Sequence, residues 1–112
     1  LQALTDVRAG CHLLIVGDGY GRPELQVLAE RLGLANRVSF LGPMPREELN
    51  NLYSRAAIVA VPSVWPEPFG MVGPEALSYG TPVVGFRSGG IQLFKKSGNE
   101  NACFYPGKYF KY

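Results

Sequence analysis

Two carboxylates and an internal proline mark residues 67–77, which read Glu67-Pro68-Phe69-Gly70-Met71-Val72-Gly73-Pro74-Glu75-Ala76-Leu77. A proline inside a helix clashes with the carbonyl four residues earlier, so Pro74 predicts a helix that begins no earlier than about Gly70. The first N–H groups of a helix have no partner within it and lie at the positive end of its dipole. The sequence therefore predicts a diphosphate site at the N–H groups around Gly70, Met71 and Val72.

The two carboxylates lie on either side of this predicted phosphate site. Glu67 precedes the helix and Glu75 lies one turn inside it, and carboxylate oxygens accept hydrogen bonds from hydroxyl groups. Hydroxyl, diphosphate and hydroxyl follow one another in the same order in a nucleotide sugar. A structural role competes, because a carboxylate in a first turn stabilises a helix by about 0.3–1 kcal/mol.

Outward from this stretch, the period of hydrophobicity alternates between that of a strand and that of a helix. Strands are predicted at residues 12–16, 38–41, 58–61, 83–86 and 102–105, and the continuous apolar run at 12–16 predicts a strand that is buried on both faces. Helices are predicted from Pro23, from Pro45 and over about 70–79, with a short one at 91–96 and the end of another within 1–9. This alternation predicts an α/β fold with a doubly wound parallel sheet and right-handed crossovers. Ligands of such sheets bind at the carboxyl ends of the strands.

The stretch closely resembles the E-x7-E signature of retaining GT-B glycosyltransferases, family 4 (glycosyl transferases group 1) in particular. Further segments match that family in order and spacing: 15–19, 38–42, 59–63, 75–85 and 89–91. The resemblance covers about residues 11–91 well and 92–107 loosely. It implies a Rossmann-like half of a GT-B enzyme that transfers a hexosyl group from a nucleoside diphosphate sugar to an unidentified acceptor.

The resemblance also implies individual roles around the donor. The donor sugar is expected at Glu67, Phe69 and Gly70, the diphosphate at Gly70, Met71, Val72 and Gly19, both ribose hydroxyls at Glu75, and the base at Met44. Glu67 is the implied catalytic residue. Two chemistries stay open for it: a carboxylate nucleophile, or a same-face displacement in which the helix N-terminus stabilises the departing diphosphate.

By the same resemblance, residues 1–112 form a single, partial donor-binding domain. An earlier strand, a Gly-rich loop, the Arg and Lys that hold the phosphates, and the acceptor-binding domain are all expected elsewhere in a larger enzyme. The isolated chain is therefore expected to be inactive, with the acceptor-binding domain of the same enzyme as its partner. No cofactor or metal is expected, because the helix dipole and those basic residues can hold the diphosphate.

Composition excludes several other classes. The 112 residues are 46% hydrophobic with a net charge of +2, which fits one globular domain and does not favour nucleic acid as a partner. The single histidine, His12, excludes a His-based metal cluster. Cys11 and Cys103, both located at predicted buried strands, are too few for a disulfide framework. No segment is apolar for long enough to cross a bilayer. A cytoplasmic setting is expected, with peripheral membrane association of the full-length enzyme left open.

Two alternative interpretations compete with a glycosyltransferase. Residues 17–21 suggest a dinucleotide-binding turn, but the third glycine of that motif falls at Arg22 and no acidic residue ends the strand at 38–42. The NAD interpretation is therefore disfavoured. The other is a noncatalytic nucleotide-binding or regulatory module of the same fold, which an intact pair of Glu67 and Glu75 argues against only weakly.

Overall fold

The computed structural model describes residues 1–7, 10–63 and 71–86, and the backbone of residues 102–105. The chain divides into two compact units, Leu1–Pro45 and Arg46–Tyr112. Each unit has its own parallel sheet and its own hydrophobic core, and the two are described separately.

The first unit contains two parallel strands and their helices. Its elements are α1 (Gln2–Thr5), β1 (Leu13–Val16), α2 (Arg22–Arg31), a 3-10 turn (Ala35–Arg37) and β2 (Val38–Gly42). Strands β1 and β2 pair in parallel, with Leu13 opposite Val38. Apolar residues from α2, from the segment after it and from β2 form the buried core: Ala29, Leu34 and Val38.

The second unit contains a three-stranded parallel sheet in the order β3-β4-β5. Its elements are α3 (Arg46–Arg55), β3 (Val59–Val61), α4 (Val72–Ser78), β4 (Val83–Phe86) and β5 (Ala102–Tyr105). The buried core takes one residue from each of the first four elements: Tyr53, Val61, Ala76 and Val83.

This arrangement confirms the predicted α/β class with parallel strands. Strands β4 and β5 have the predicted bounds, β2 extends one residue further, to Gly42, and β1 and β3 each begin one residue later than predicted. The described strands hydrogen-bond as two sheets, β1 with β2 and β3 with β4 and β5. The short helix predicted at residues 91–96 lies outside the described residues.

Two details of the predicted burial are wrong. Cys11 is exposed, because β1 begins only at Leu13 and Cys11 precedes it. β1 is not buried on both faces either: Leu14 is 43% and Val16 is 37% exposed, so the described part of the chain covers only the face that carries Leu13 and Ile15. The side chain of Cys103 lies outside the described residues.

One glycine brings β3 and β4 unusually close together. Gly85 pairs with Val61 across the parallel ladder, and a Cβ at position 85 would lie 2.9 Å from the carbonyl oxygen of Val61. Because real Cβ atoms do not approach a backbone oxygen so closely, the two strands pack at this point only without a side chain.

Candidate functional site

The start of α4 agrees with the position that Pro74 predicts. The helix runs Val72–Ser78 after Met71 as its N-cap, and the N–H of Glu75 donates to the carbonyl of Met71 at 3.0 Å. Because Pro74 has no N–H, that bond is the first one of the regular helical ladder. Met71 and Val72 are both exposed, so two of the predicted diphosphate-binding residues lie at an accessible first turn.

Three residues of the predicted site, Glu67, Phe69 and Gly70, lie outside the described residues. The predicted roles of Glu67 in catalysis and of all three in binding the donor sugar therefore stay predictions.

The carboxylate of Glu75, one turn inside α4, has a different donor on each oxygen. Its Oε1 accepts a hydrogen bond from Nη2 of Arg46 at 3.1 Å, and its Oε2 accepts one from the hydroxyl of Tyr53 at 3.3 Å. The Glu75 side chain is 22% exposed, whereas that of Arg46 is 76% exposed. The carboxylate is thus partly withdrawn from water but still accessible to a ligand.

Tyr53 is fixed at three points on the second unit. Its ring stacks on that of Tyr79 with the centroids 6.1 Å apart, and its hydroxyl donates to Glu75. Its carbonyl lies in the last turn of α3, where a helix offers no partner of its own, and the hydroxyl of Thr81 donates to it instead. Tyr53 and Thr81 are both buried, at 5% and 3% exposure, so this contact is shielded from water.

Burial raises the pKa of the Tyr53 hydroxyl, and the negative charge of Glu75 and its hydrogen bond raise this pKa further, while Arg46 opposes the shift. A free tyrosine already has a pKa near 10. Tyr53 therefore keeps its proton at neutral pH and acts as a donor to the carboxylate.

The sequence did not indicate that Arg46, Tyr53 and Thr81 are partners in this network. Hydrophobic period alone accounts for the burial of Tyr53 on α3. The available signal was its chemistry, since a buried tyrosine usually finds a hydrogen-bond partner for its hydroxyl. No local pattern links it to Glu75, which lies 22 residues further along the chain.

The remaining predicted site residues, Gly19 and Met44, belong to the first unit. The N–H of Gly19, predicted to bind diphosphate, donates to Oδ1 of Asp18 at 2.9 Å. Met44 is half-buried in the turn after β2. The N–H of Gly17 donates to the carbonyl of Gly42 at 2.8 Å, which joins the carboxyl ends of β1 and β2. The ligand roles of Gly19 and Met44 stay predictions.

Within the described ranges, no group of three or more His, Cys, Asp or Glu side chains is arranged to hold a metal ion. No helix in the same part of the chain has the length and apolar character that a membrane span needs.

Comparison with protein families identifies the chain. The model of the family described as "Glycosyl transferases group 1" matches residues 1–109. The chain belongs to this family. This match confirms the resemblance to glycosyltransferases of the motif around Glu67 and Glu75, whereas family 4 and the retaining mechanism stay predictions.

Curated relatives carry the same kind of name. The chain is 51% identical over 77 residues to the D-inositol 3-phosphate glycosyltransferase of Corynebacterium urealyticum, covering 68% of this chain and 18% of that protein. It is 45% identical over 87 residues to the enzyme of the same name from Mycolicibacterium smegmatis, covering 77% of this chain and 20% of that protein. The chain thus spans about a fifth of the length of these relatives.

Solved structures agree with the family and the fold. Anabaena Alr3699/HepE in complex with UDP superposes with a TM-score of 0.83 at 35% identity, over 96% of this chain and 30% of that one. Sucrose-phosphate synthase from Thermosynechococcus elongatus gives a TM-score of 0.82 at 33% identity, over 96% of this chain and 28% of that one. A further structure of Alr3699/HepE, in complex with UDP-glucose, gives a TM-score of 0.76 at 37% identity, over 83% of this chain and 26% of that one. These likenesses confirm the Rossmann-like fold of GT-B glycosyltransferases.

Proposed function

We propose that this chain is the donor-binding portion of a retaining glycosyltransferase that transfers a hexosyl group from a nucleoside diphosphate sugar to an acceptor. The observation that carries the proposal is its likeness to Alr3699/HepE, whose structures contain UDP and UDP-glucose. Membership of the glycosyl transferases group 1 family supports it independently.

The geometry of the second unit fits the nucleotide part of this donor. The partly buried carboxylate of Glu75 offers acceptors for ribose hydroxyls, and it lies one turn from the exposed residues Met71 and Val72. Backbone N–H groups at a helix start favour an anion such as a diphosphate. In this proposal Glu75 therefore binds ribose, and Met71 and Val72 bind diphosphate.

The reactive end of the donor is assigned to Glu67, supported by its position eight residues before Glu75 in the sequence. Transfer breaks the bond between the anomeric carbon and the diphosphate oxygen, and the electron pair leaves with the diphosphate. A new bond forms between the anomeric carbon and the acceptor atom, whose proton passes to the departing diphosphate. In the proposed retaining reaction the acceptor finally occupies the same face of the sugar as the leaving group. The rest of the enzyme supplies the acceptor-binding domain, while a cytoplasmic location and the lack of a cofactor stay predictions.

Calorimetric titration with UDP and with UDP-glucose tests this function. Both ligands are expected to bind, and each should raise the unfolding temperature as its concentration exceeds its Kd. Glu67→Gln should leave the affinity for UDP unchanged and weaken that for UDP-glucose, because only the complete donor carries the sugar that Glu67 contacts. If no UDP, GDP or ADP binds at millimolar concentration, the proposed function is wrong.

Retention is tested with the full-length enzyme, where NMR of the first product formed reports the anomeric configuration. A product with the inverted configuration would contradict the retaining assignment and leave donor binding intact.

A further inference from the structure

We propose that Tyr53 is a positioning residue for nucleotide recognition: its hydroxyl fixes the orientation of the Glu75 carboxylate so that one acceptor site on each carboxylate oxygen faces the cis-diol of a ribose. The inference rests on the proposed function and assigns to it a residue that does not itself touch the ligand.

The Glu75 carboxylate keeps hydrogen-bond acceptor sites for a ligand. An ionised carboxylate offers about four lone-pair sites, two on each oxygen. Arg46 occupies one site on Oε1 and Tyr53 occupies one on Oε2. One site on each oxygen is left, and a ribose presents two adjacent hydroxyl donors. The arrangement matches a cis-diol, whereas a deoxygenated sugar would leave these two acceptor sites of Glu75 unfilled.

Of the two donors, Tyr53 sets the orientation of the Glu75 carboxylate and Arg46 does not. Arg46 is a long side chain that is 76% exposed, and exposed ion pairs of this kind contribute little. Tyr53 is 5% exposed, with its ring stacked on Tyr79 and its carbonyl bonded to Thr81. A donor fixed in this way restrains the carboxylate, whereas Arg46 can move with it.

Tyr53 is the donor in its hydrogen bond with Glu75. A neutral tyrosine hydroxyl next to an ionised carboxylate can only donate to it. Removal of that hydroxyl leaves Glu75 free to rotate, so the free energy of ordering the carboxylate is then subtracted from the binding of any ligand that needs both oxygens.

The experiment compares UDP with 2′,3′-dideoxy-UDP on the wild type and on Tyr53→Phe. Phenylalanine keeps the ring that stacks on Tyr79 and the carbonyl that Thr81 contacts. The wild type should prefer UDP, and Tyr53→Phe should weaken UDP binding by about 3- to 10-fold, the scale of one net hydrogen bond. The affinity for the dideoxy analogue should change by less than about 2-fold.

Tyr79→Phe is the matched control. It deletes a tyrosine hydroxyl from the other ring of the same stacked pair, and that hydroxyl makes no hydrogen bond with the described part of the chain. Its ratio of UDP to dideoxy-UDP affinity should equal that of the wild type. In the Glu75→Ala background, Tyr53→Phe should cause no further loss of UDP affinity, because alanine leaves no acceptor for the Tyr53 hydroxyl to orient.

The outcomes separate this role from a structural one and from the function itself. Equal losses of both ligands in Tyr53→Phe would show general damage and overturn the positioning role, as would an unchanged affinity for UDP. An additive loss in the Glu75→Ala background would also overturn it. If the wild type binds none of UDP, GDP and ADP, the proposed function fails first and this assignment fails with it.

Discussion

The two units differ in the hydrogen bonds that lie next to their predicted site residues. In the second unit, side chains dominate: the carboxylate of Glu75 bonds to Arg46 and Tyr53, and Thr81 fixes Tyr53 in turn. In the first unit, a backbone hydrogen bond joins the ends of the two strands. The N–H of Gly17 bonds to the carbonyl of Gly42, and both glycines have positive φ, at 104° and 73°.

This difference teaches where chemical selectivity can reside. A network of side chains presents specific donors and acceptors, so a single-atom change in it alters which ligand fits. A turn whose glycines have positive φ depends on a backbone conformation that other residues adopt poorly. Substitutions there therefore lower the stability of the fold. We therefore expect changes in the second unit to affect ligand discrimination and changes in the first unit to affect stability.

The largest effect is expected for Glu75→Gln in the second unit. The amide provides only one acceptor oxygen and loses the charge, so UDP should bind more weakly by about 1.5–3 kcal/mol, the scale of a hydrogen bond to a charged group. Calorimetry on both proteins measures it. Glu47→Gln, at an exposed carboxylate in the first turn of α3, is the control and should bind UDP like the wild type. Equal affinities of Glu75→Gln and the wild type would contradict the ribose assignment.

The next effect lies in the first unit. Gly42→Ala should lower the free energy of unfolding by about 1–2 kcal/mol, because an L-residue is strained at positive φ. The Cβ at position 42 would also lie 3.3 Å from Nη1 of Arg22. Gly21→Ala is the control, since Gly21 has a φ of −77° and its Cβ would meet no atom within 4 Å. Urea unfolding distinguishes them, and equal losses would show that backbone strain does not set the stability of this turn.

A smaller loss is expected for Thr81→Val, which keeps the shape of the side chain but removes the donor to the Tyr53 carbonyl. The free energy of unfolding should fall by about 0.5–1.5 kcal/mol, the usual net value of one hydrogen bond. Thr5→Val removes an exposed hydroxyl that donates to the carbonyl of Gln2, and it should change less. Chemical denaturation of the two variants checks the difference. Identical losses would mean that burial of the Thr81 contact adds nothing.

The smallest effect is expected for Arg46→Gln. Its ion pair with Glu75 is mostly exposed on the arginine side, so the loss in stability should be below about 1 kcal/mol. Salt screens exposed charges, so the difference from the wild type should shrink between low and high ionic strength. Thermal unfolding at both ionic strengths measures it. A loss larger than that of Thr81→Val would contradict the small contribution expected of this exposed ion pair.

Much of the fold could be predicted from the sequence because its signals are local. Alternating hydrophobic periods predicted the strand bounds to within about a residue. Pro74 predicted a helix that begins no earlier than about Gly70, and α4 begins at Val72. Where a predicted strand bound was wrong, it differed from the observed bound by one residue. β1 begins at Leu13, so Cys11 stays outside the strand and is exposed.

The candidate site was less accessible to sequence reasoning because its contacts are not local. Arg46 lies 29 residues before Glu75 and meets it only through the packing of α3 and α4. The contact of Gly19 is local, yet the sequence did not predict it either. The glycine turn was visible in the sequence, but the bond from its N–H to the carboxylate of Asp18 depends on a side-chain conformation that no sequence pattern specifies.

The close approach of Gly85 to Val61 has a consequence for how this protein tolerates mutation. A Cβ at position 85 would lie 2.9 Å from a backbone oxygen, which cannot move aside as a flexible side chain can. Every other amino acid carries that carbon, so polarity, charge and size of the replacement hardly matter. In a library with all residues at position 85, folded clones should therefore encode glycine almost alone, while at Ala60, an exposed neighbour on the same strand as Val61, the library should recover many different residues.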